Sequence, residues 1–162
     1  MNDPVLFLLR LLHVVGGVYW GGAIFFTVLF LGPSIRDAGP DGAKVMQRIQ
    51  ARGFMTWTPI VALLVILSGI ELLRRISGNF HPAWFGTPGG ITYSTGMLVT
   101  IVAFVIGFFV MRPAMAEAGR LAAAGGDMSR VNALRARATA MSRIVAVLLL
   151  IAVVTMAVGR YV

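Results

Sequence analysis

Residues Val5–Leu31 read VLFLLRLLHVVGGVYWGGAIFFTVLFL, an apolar run interrupted only by Arg10, His13 and a few small or hydroxyl side chains. A helix of this length can cross a bilayer, because about 20 apolar residues span a hydrocarbon core of roughly 30 Å. Three further stretches have the same character, at residues 55–73, 91–111 and 140–158. In lipid each stretch must satisfy its own backbone hydrogen bonds, so the sequence predicts an all-α fold. We expect one domain over residues 1–162, a four-helix transmembrane bundle.

The composition of the whole chain agrees with a membrane protein. It is 58% hydrophobic and only 12% charged, with a mean hydropathy of +0.86, which excludes an ordinary soluble globule. A net charge of +8 would normally suggest nucleic acid, but apolar runs separate the basic residues and leave no continuous basic face. We therefore expect the lipid bilayer, and no nucleic acid, as a partner. The absence of cysteine excludes disulfides, iron–sulfur clusters and cysteine nucleophiles.

The distribution of basic residues predicts the orientation. Ten of the 14 Lys and Arg residues lie in, or at the edge of, the loop between the first two spans and the loop between the last two. The positive-inside rule places these two loops in the cytoplasm and both termini outside, in an inner membrane of the bacterial type. The ten are Arg36, Lys44, Arg48, Arg52, Arg112, Arg120, Arg130, Arg135, Arg137 and Arg143, and the other four are Arg10, Arg74, Arg75 and Arg160.

Both cytoplasmic loops have helical patterns. Residues 41–52 repeat a basic residue every fourth position, which predicts a short amphipathic helix at the membrane surface. In the second loop, residues 113–124 extend the third span and Gly125–Gly126 breaks it. Asp127 or Ser129 can then cap a helix that continues into the fourth span. We expect these Arg-rich helices to contact anionic lipid headgroups, with a protein-docking face as the alternative.

Charged residues within spans are costly and need a partner or a function. Arg10 and His13 are three residues apart and therefore share one helix face. Glu71 lies about one turn from the end of the second span, at a depth close to that of Arg10. The sequence therefore predicts an ion pair between Arg10 and Glu71.

His13 has two interpretations. Neutral imidazole is a common ligand of haem and related pigments, so His13 is a candidate ligand for haem, a chlorophyll-type pigment or copper. The alternative is a histidine hydrogen-bonded to a neighbouring helix, with no cofactor. Two-haem cytochromes need four histidines and this chain has 2, which excludes that class. A single haem remains an alternative, with Met97, Met156 or no protein ligand opposite His13. Copper bound by His13, His81 and methionines is a further alternative.

Gly17 and Gly21 form a small-xxx-small pair in the first span, a pattern typical of close helix packing. No HExxH motif, paired carboxylates, phosphate-binding loop or nucleophile elbow occurs in the sequence. We therefore expect no enzymatic activity.

The stretch Leu12–Gly22 reads LHVVGGVYWGG, in which a His is followed about seven residues later by a Trp and small residues. It resembles the first-helix motif, His and then Trp-x-Gly, of the copper-resistance D-like families and their uncharacterised four-helix relatives. Leu67–Ile70 and 107–113 are similar to later landmarks of these families. The membrane protoporphyrinogen oxidase family begins with a similar helix, and this weaker resemblance implies that His13 is a haem ligand. That family also has an essential lysine in its third span, whereas Lys44, the only lysine here, lies in a loop. The departure argues against oxidase activity.

Two hypotheses about function follow. The favoured one is a non-catalytic subunit or scaffold that packs against a larger membrane complex of the respiratory or photosynthetic type, because the chain has small-residue faces and lacks a catalytic set. The alternative is a haem- or copper-handling membrane protein centred on His13. A transporter is disfavoured, since no span is broken at mid-membrane as many substrate sites require.

Overall fold

The computed structural model describes residues 3–162, and its secondary structure within that range is helical, without strands. Four helices are long and apolar enough to cross a membrane, which confirms the predicted all-α four-helix bundle. We number the helices in chain order. They are α1 (Pro4–Asp37), α2 (Gly39–Ala51), α3 (Phe54–Ile76), α4 (Pro82–Phe85), α5 (Pro88–Ala123) and α6 (Met128–Val158).

Short-range chemistry explains where the helices begin. Asp3 caps α1, because its Oδ1 accepts hydrogen bonds from the backbone N–H groups of Val5 at 2.9 Å and Leu6 at 3.2 Å. Pro4 occupies the first turn, where its missing N–H is not needed. Asp127 caps α6 in the same way, through the backbone N–H of Ser129 at 2.8 Å. The helices predicted at residues 41–52 and 113–124 are also present, as α2 and the last part of α5.

Two π-helical segments, which were not predicted from the sequence, lie within the long helices. α1 has a π-helical segment at Thr27–Leu31 and α5 has one at Ile106–Met111. Each ends just before a proline, Pro33 or Pro113. A proline inside a helix has no N–H to donate and clashes with the carbonyl four residues earlier, and a locally wider turn relieves the clash. Both helices therefore continue past their prolines.

The four spans form two antiparallel pairs. α1 packs along α3 and α5 packs along α6, while contact between the pairs is more limited. Gly16 is a site of close approach between α1 and α3, because a Cβ at this position would lie 2.7 Å from Cγ2 of Val65. Gly17 and Gly21, predicted as the packing pair, do not contact another helix in this way. A Cβ at Gly17 would meet nothing within 4 Å, and one at Gly21 would meet only Phe25 of the same helix.

The core lies at the centre of the bundle, where Trp20 is 4% exposed and meets the ring of Phe104 edge to face at 6.5 Å. The buried residues of this core are Trp20, Ala62, Val65, Ala103, Val145 and Leu149. We call the end of the bundle that contains both chain termini and α4 the terminal end. The opposite end, which contains α2 and the turn between α5 and α6, is the basic end.

Candidate ligand-binding cavity

A cavity of about 670 Å³ opens between the two helix pairs on the terminal side of the core. We call it the terminal cavity. All four spans contribute to its walls, and aliphatic side chains of α1, α3 and α5 make up much of the lining. A volume of this size is ordinary for small-molecule and cofactor sites, which range from about 300 to 1,000 Å³. The polar and sulfur-containing side chains in the lining are Arg10, His13, Tyr93, Met97, Thr100, Met156 and Arg160.

His13 is held by α3 while it lines the cavity. Its Nδ1 lies 2.9 Å from the carbonyl oxygen of Val65. A carbonyl can only accept, so Nδ1 carries the proton and donates it. In the neutral form of such a ring Nε2 carries the lone pair, and here Nε2 has no hydrogen-bond partner within residues 3–162. The result is an imidazole that is fixed on one side and has a free lone pair on the other.

Two small residues of α3 make room for the His13 ring. A Cβ at Gly69 would lie 2.8 Å from Cε1 of the ring, so only glycine permits this approach. The neighbouring Ser68 is 3% exposed, and its hydroxyl lies 3.4 Å from Nδ1. That hydroxyl donates within its own helix, to the carbonyl of Leu64 at 2.7 Å. The position of the ring is therefore set by the backbone of α3 and by the absence of a side chain at residue 69.

The second helix pair contributes two thioethers. Met97 of α5 and Met156 of α6 both line the cavity, whereas His13 comes from the first pair. Thr100 also lines it, but its hydroxyl donates to the carbonyl of Gly96 at 2.7 Å and is satisfied within α5. The candidate metal-ligand atoms in the lining are thus the imidazole nitrogen of one pair, and the two sulfur atoms and the Tyr93 hydroxyl of the other.

His81 does not join His13. It lies in the exposed connection just before α4 and is not part of the cavity lining. Residues 3–162 contain no cluster of three or more His, Asp or Glu side chains that could hold a metal ion. The copper site that would combine both histidines is therefore not formed.

The predicted ion pair between Arg10 and Glu71 is wrong. Arg74 binds both carboxylate oxygens of Glu71, with Nε and Nη2 each at 2.7 Å from an oxygen, and Arg75 adds Nε at 2.8 Å. Both arginines follow Glu71 by three or four residues on the same helix, so they reach its carboxylate from adjacent positions. Arg10 instead lines the terminal cavity.

The Glu71 group also joins two helices. Nη1 of Arg75 lies 2.6 Å from Oδ2 of Asp3, so Arg75 bridges the start of α1 to the end of α3. We call Asp3, Glu71, Arg74 and Arg75 the terminal cluster. The backbone N–H of Leu6, together with that of Val5 and the Arg75 guanidinium, holds the pKa of Asp3 below its ordinary value. Asp3 is therefore ionised at neutral pH. The stability that it contributes to the fold, through the cap of α1 and the ion pair with Arg75, is lost as the pH falls through this lowered pKa.

Arg10 and Arg160 differ from the terminal cluster in having no carboxylate partner within the described part of the chain. Both are exposed and both line the terminal cavity, so they mark its opening. A second pocket, on the basic side of the core, has only about 120 Å³ and is lined mainly by aromatic, methionine and small side chains. The terminal cavity is accordingly the stronger candidate site.

Comparisons of this chain with protein-family models, curated proteins and solved structures find no match. The resemblance to the copper-resistance D-like families, and the weaker one to the protoporphyrinogen oxidase family, therefore stay predictions. Function must be argued from the terminal cavity itself.

Proposed function

We propose that this protein is a multi-pass membrane protein that binds haem in the terminal cavity, with His13 as the iron ligand. The observation that carries the proposal is the 2.9 Å hydrogen bond from Nδ1 of His13 to the Val65 carbonyl. Histidines that ligate metals commonly donate their other ring N–H to a carbonyl or carboxylate, which fixes the tautomer and the ring orientation. In this arrangement Nε2 is left free to bind iron.

The other lining residues are compatible with haem. Aliphatic walls suit an apolar macrocycle, and the volume of about 670 Å³ falls in the range of cofactor sites. Met97 and Met156 line the cavity from the opposite helix pair, and either thioether would be a candidate to help hold the iron of a bound haem. Copper is less well supported, because His81 lies outside the cavity and His13 would be its only imidazole ligand.

We propose a binding role and not an oxidase activity. Lys44 is on exposed α2, where it pairs with Asp41 at 2.7 Å, and it does not line the terminal cavity. When bound, haem supplies one-electron chemistry. The chain's own contribution is to fix the imidazole, provide an apolar enclosure and keep the opening toward the terminal end.

The histidine assignment is tested by comparing the two histidines of the chain. The full chain is purified in mild detergent from haem-sufficient cells, and the absorption spectrum and haem content are measured for the wild type, His13→Ala and His81→Ala. We expect a haem spectrum in the wild type and in His81→Ala, and a haem content lower by roughly ten-fold or more in His13→Ala.

Added imidazole should restore the spectrum of His13→Ala if the variant is folded and lacks only the ligand. Equal haem content in the two histidine variants would exclude His13 as the ligand. A wild type without haem, even after reconstitution with hemin, would exclude the proposed function.

We further propose that the terminal end faces the outside of a bacterial-type inner membrane. The support is the distribution of charge, since the basic end holds ten of the 14 Lys and Arg residues. The cavity would then open to the outer surface, where Arg10 and Arg160 lie.

A second candidate function is a subunit role in a larger membrane complex. It is favoured by the open face of α1, where Cβ atoms at Gly17 and Gly22 would meet nothing within 4 Å and Val18 is 71% exposed. Association in lipid depends on close packing of small residues, so a transmembrane helix of another protein is the proposed occupant. Native sizing and mass spectrometry after mild-detergent extraction would recover either that complex or the isolated 17.4 kDa chain.

A further inference from the structure

The four arginines near the terminal end fall into two classes. Arg74 and Arg75 bind the carboxylates of the terminal cluster at distances between 2.6 and 2.8 Å. Arg10 and Arg160 have no such partner within residues 3–162, yet both border an apolar cavity. A cation beside an apolar surface is stabilised when a counter-ion binds to it. Other arginines of residues 3–162 also lack a carboxylate partner, but Arg10 and Arg160 are the two such arginines in the lining of this cavity, and this position favours an anionic ligand there.

The two arginines have matching positions relative to the candidate iron ligands. Arg10 precedes His13 by three residues on α1, a rise of about 4.5 Å along the helix toward the terminal end. Arg160 follows Met156 by four residues and lies two residues beyond the end of α6, which also places it toward the terminal end. The deeper level of the cavity thus holds an imidazole and a thioether, and the opening holds one guanidinium from the first helix pair and one that follows α6 of the second pair.

We propose that Arg10 and Arg160 bind the two carboxylates of the porphyrin, one each, so that its carboxylate edge points to the terminal end. This inference rests on the proposed function, since it assumes that a porphyrin occupies the cavity. Guanidinium and carboxylate form charge-assisted hydrogen bonds that are stronger than neutral ones. The arginines would therefore select a dicarboxylate over an uncharged ligand of the same shape and fix its orientation.

The test uses porphyrins without iron, so that it does not depend on ligation by His13. Binding of protoporphyrin IX and of its dimethyl ester to the full-length chain is followed by fluorescence, in nanodiscs made of phosphatidylcholine. We expect the wild type to bind the diacid roughly ten-fold or more tightly than the ester. Arg10→Gln and Arg160→Gln should each reduce this preference several-fold, and the double variant should abolish it.

Arg74→Gln is the matched control, because Arg74 lies near the terminal end but is paired with Glu71 and does not line the cavity. It should keep the preference for the diacid. Equal affinity of the wild type for diacid and ester would overturn the arginine proposal while leaving the haem proposal intact. Failure of the wild type to bind either porphyrin would overturn both.

A second measurement identifies the source of the anion. The same titrations are repeated in nanodiscs that contain phosphatidylglycerol. If porphyrin carboxylates are the natural partners of Arg10 and Arg160, the preference for the diacid should persist in the anionic lipid. Its loss in the anionic lipid would show that headgroup phosphates occupy Arg10 and Arg160, and the proposal would be wrong.

Discussion

At the scale of single residues, neighbours on other helices decide what each polar or small side chain does. His13 has a defined tautomer because the Val65 carbonyl lies 2.9 Å from Nδ1, and the ring fits because residue 69 has no Cβ. Gly16 and Gly17 are adjacent in sequence, yet only Gly16 faces α3 at a distance that excludes a side chain. Two residues of the same type therefore contribute differently to the packing of α1 on α3.

The two adjacent glycines predict different results for the same substitution. Gly16→Leu should destabilise the bundle by about 1–3 kcal/mol, because the new side chain would overlap Val65 of α3. Gly17→Leu should leave the stability of the isolated chain nearly unchanged, because nothing lies within 4 Å of the new Cβ. Unfolding in mixed detergent micelles measures both effects.

Gly107→Leu is the control for this pair, since Gly107 also has open space around its Cβ position. If the chain is a subunit, Gly17→Leu should lower its recovery in the larger complex while Gly107→Leu does not. Equal stability of Gly16→Leu and Gly17→Leu would contradict the close packing of α1 on α3.

At the scale of helices, the terminal cluster connects elements that are distant in sequence. Asp3 both caps α1 and binds Arg75 of α3, so the start of one span is joined to the end of the next. Glu71 holds Arg75 in place through a hydrogen bond of 2.8 Å. The cluster and the His13–Val65 bond lie on the same α1–α3 pair, which rigidifies one wall of the terminal cavity.

Glu71→Gln should therefore lower the melting temperature more than Glu117→Gln. The first substitution removes the charge shared by Arg74 and Arg75 and weakens the link from Arg75 to Asp3. Glu117 has only Arg120 as an ion-pair partner within the described chain, at an exposed position one turn away on α5. Thermal melting of the purified variants in one detergent measures the difference, and equal melting temperatures would show that Glu71 does not strengthen the link from Arg75 to Asp3.

At the scale of the whole molecule, the bundle has two chemically different ends. The basic end carries most of the positive charge on α2 and on the extensions of α5 and α6 beyond the core. The terminal end contains the opening of the cavity, with two arginines that have no carboxylate partner in residues 3–162. This asymmetry predicts both the orientation in the membrane and the side from which a ligand enters.

Single cysteines introduced into the cysteine-free chain test that orientation. Ala83→Cys places a thiol in α4 at the terminal end, and Ala124→Cys places one in the turn at the basic end, and both positions are exposed. In intact cells an impermeant maleimide should label the Ala83 variant and not the Ala124 variant. The reverse pattern would place the cavity opening in the cytoplasm.

The sequence alone determined the number and nature of the helices. Hydropathy, the break at Gly125–Gly126 and the period of residues 41–52 were the patterns that predicted them, and each reflects interactions between residues that are near in sequence. Such short-range patterns predict helices well because the energies that form them are local. The sequence also singled out His13, because a polar residue within a span needs a partner or a function.

Only the tertiary structure decided the pairing between helices. The sequence placed Glu71 at the depth of Arg10, but depth does not specify the direction in which a side chain points, and Arg74 and Arg75 are closer partners on the same helix. It likewise could not distinguish Gly16 from Gly17. It named Met97 and Met156 as candidates opposite His13, but it could not place them and Arg160 in the lining of one cavity. These relations depend on the rotation and spacing of four helices in lipid, where many packing arrangements bury similar apolar area and close contacts select among them.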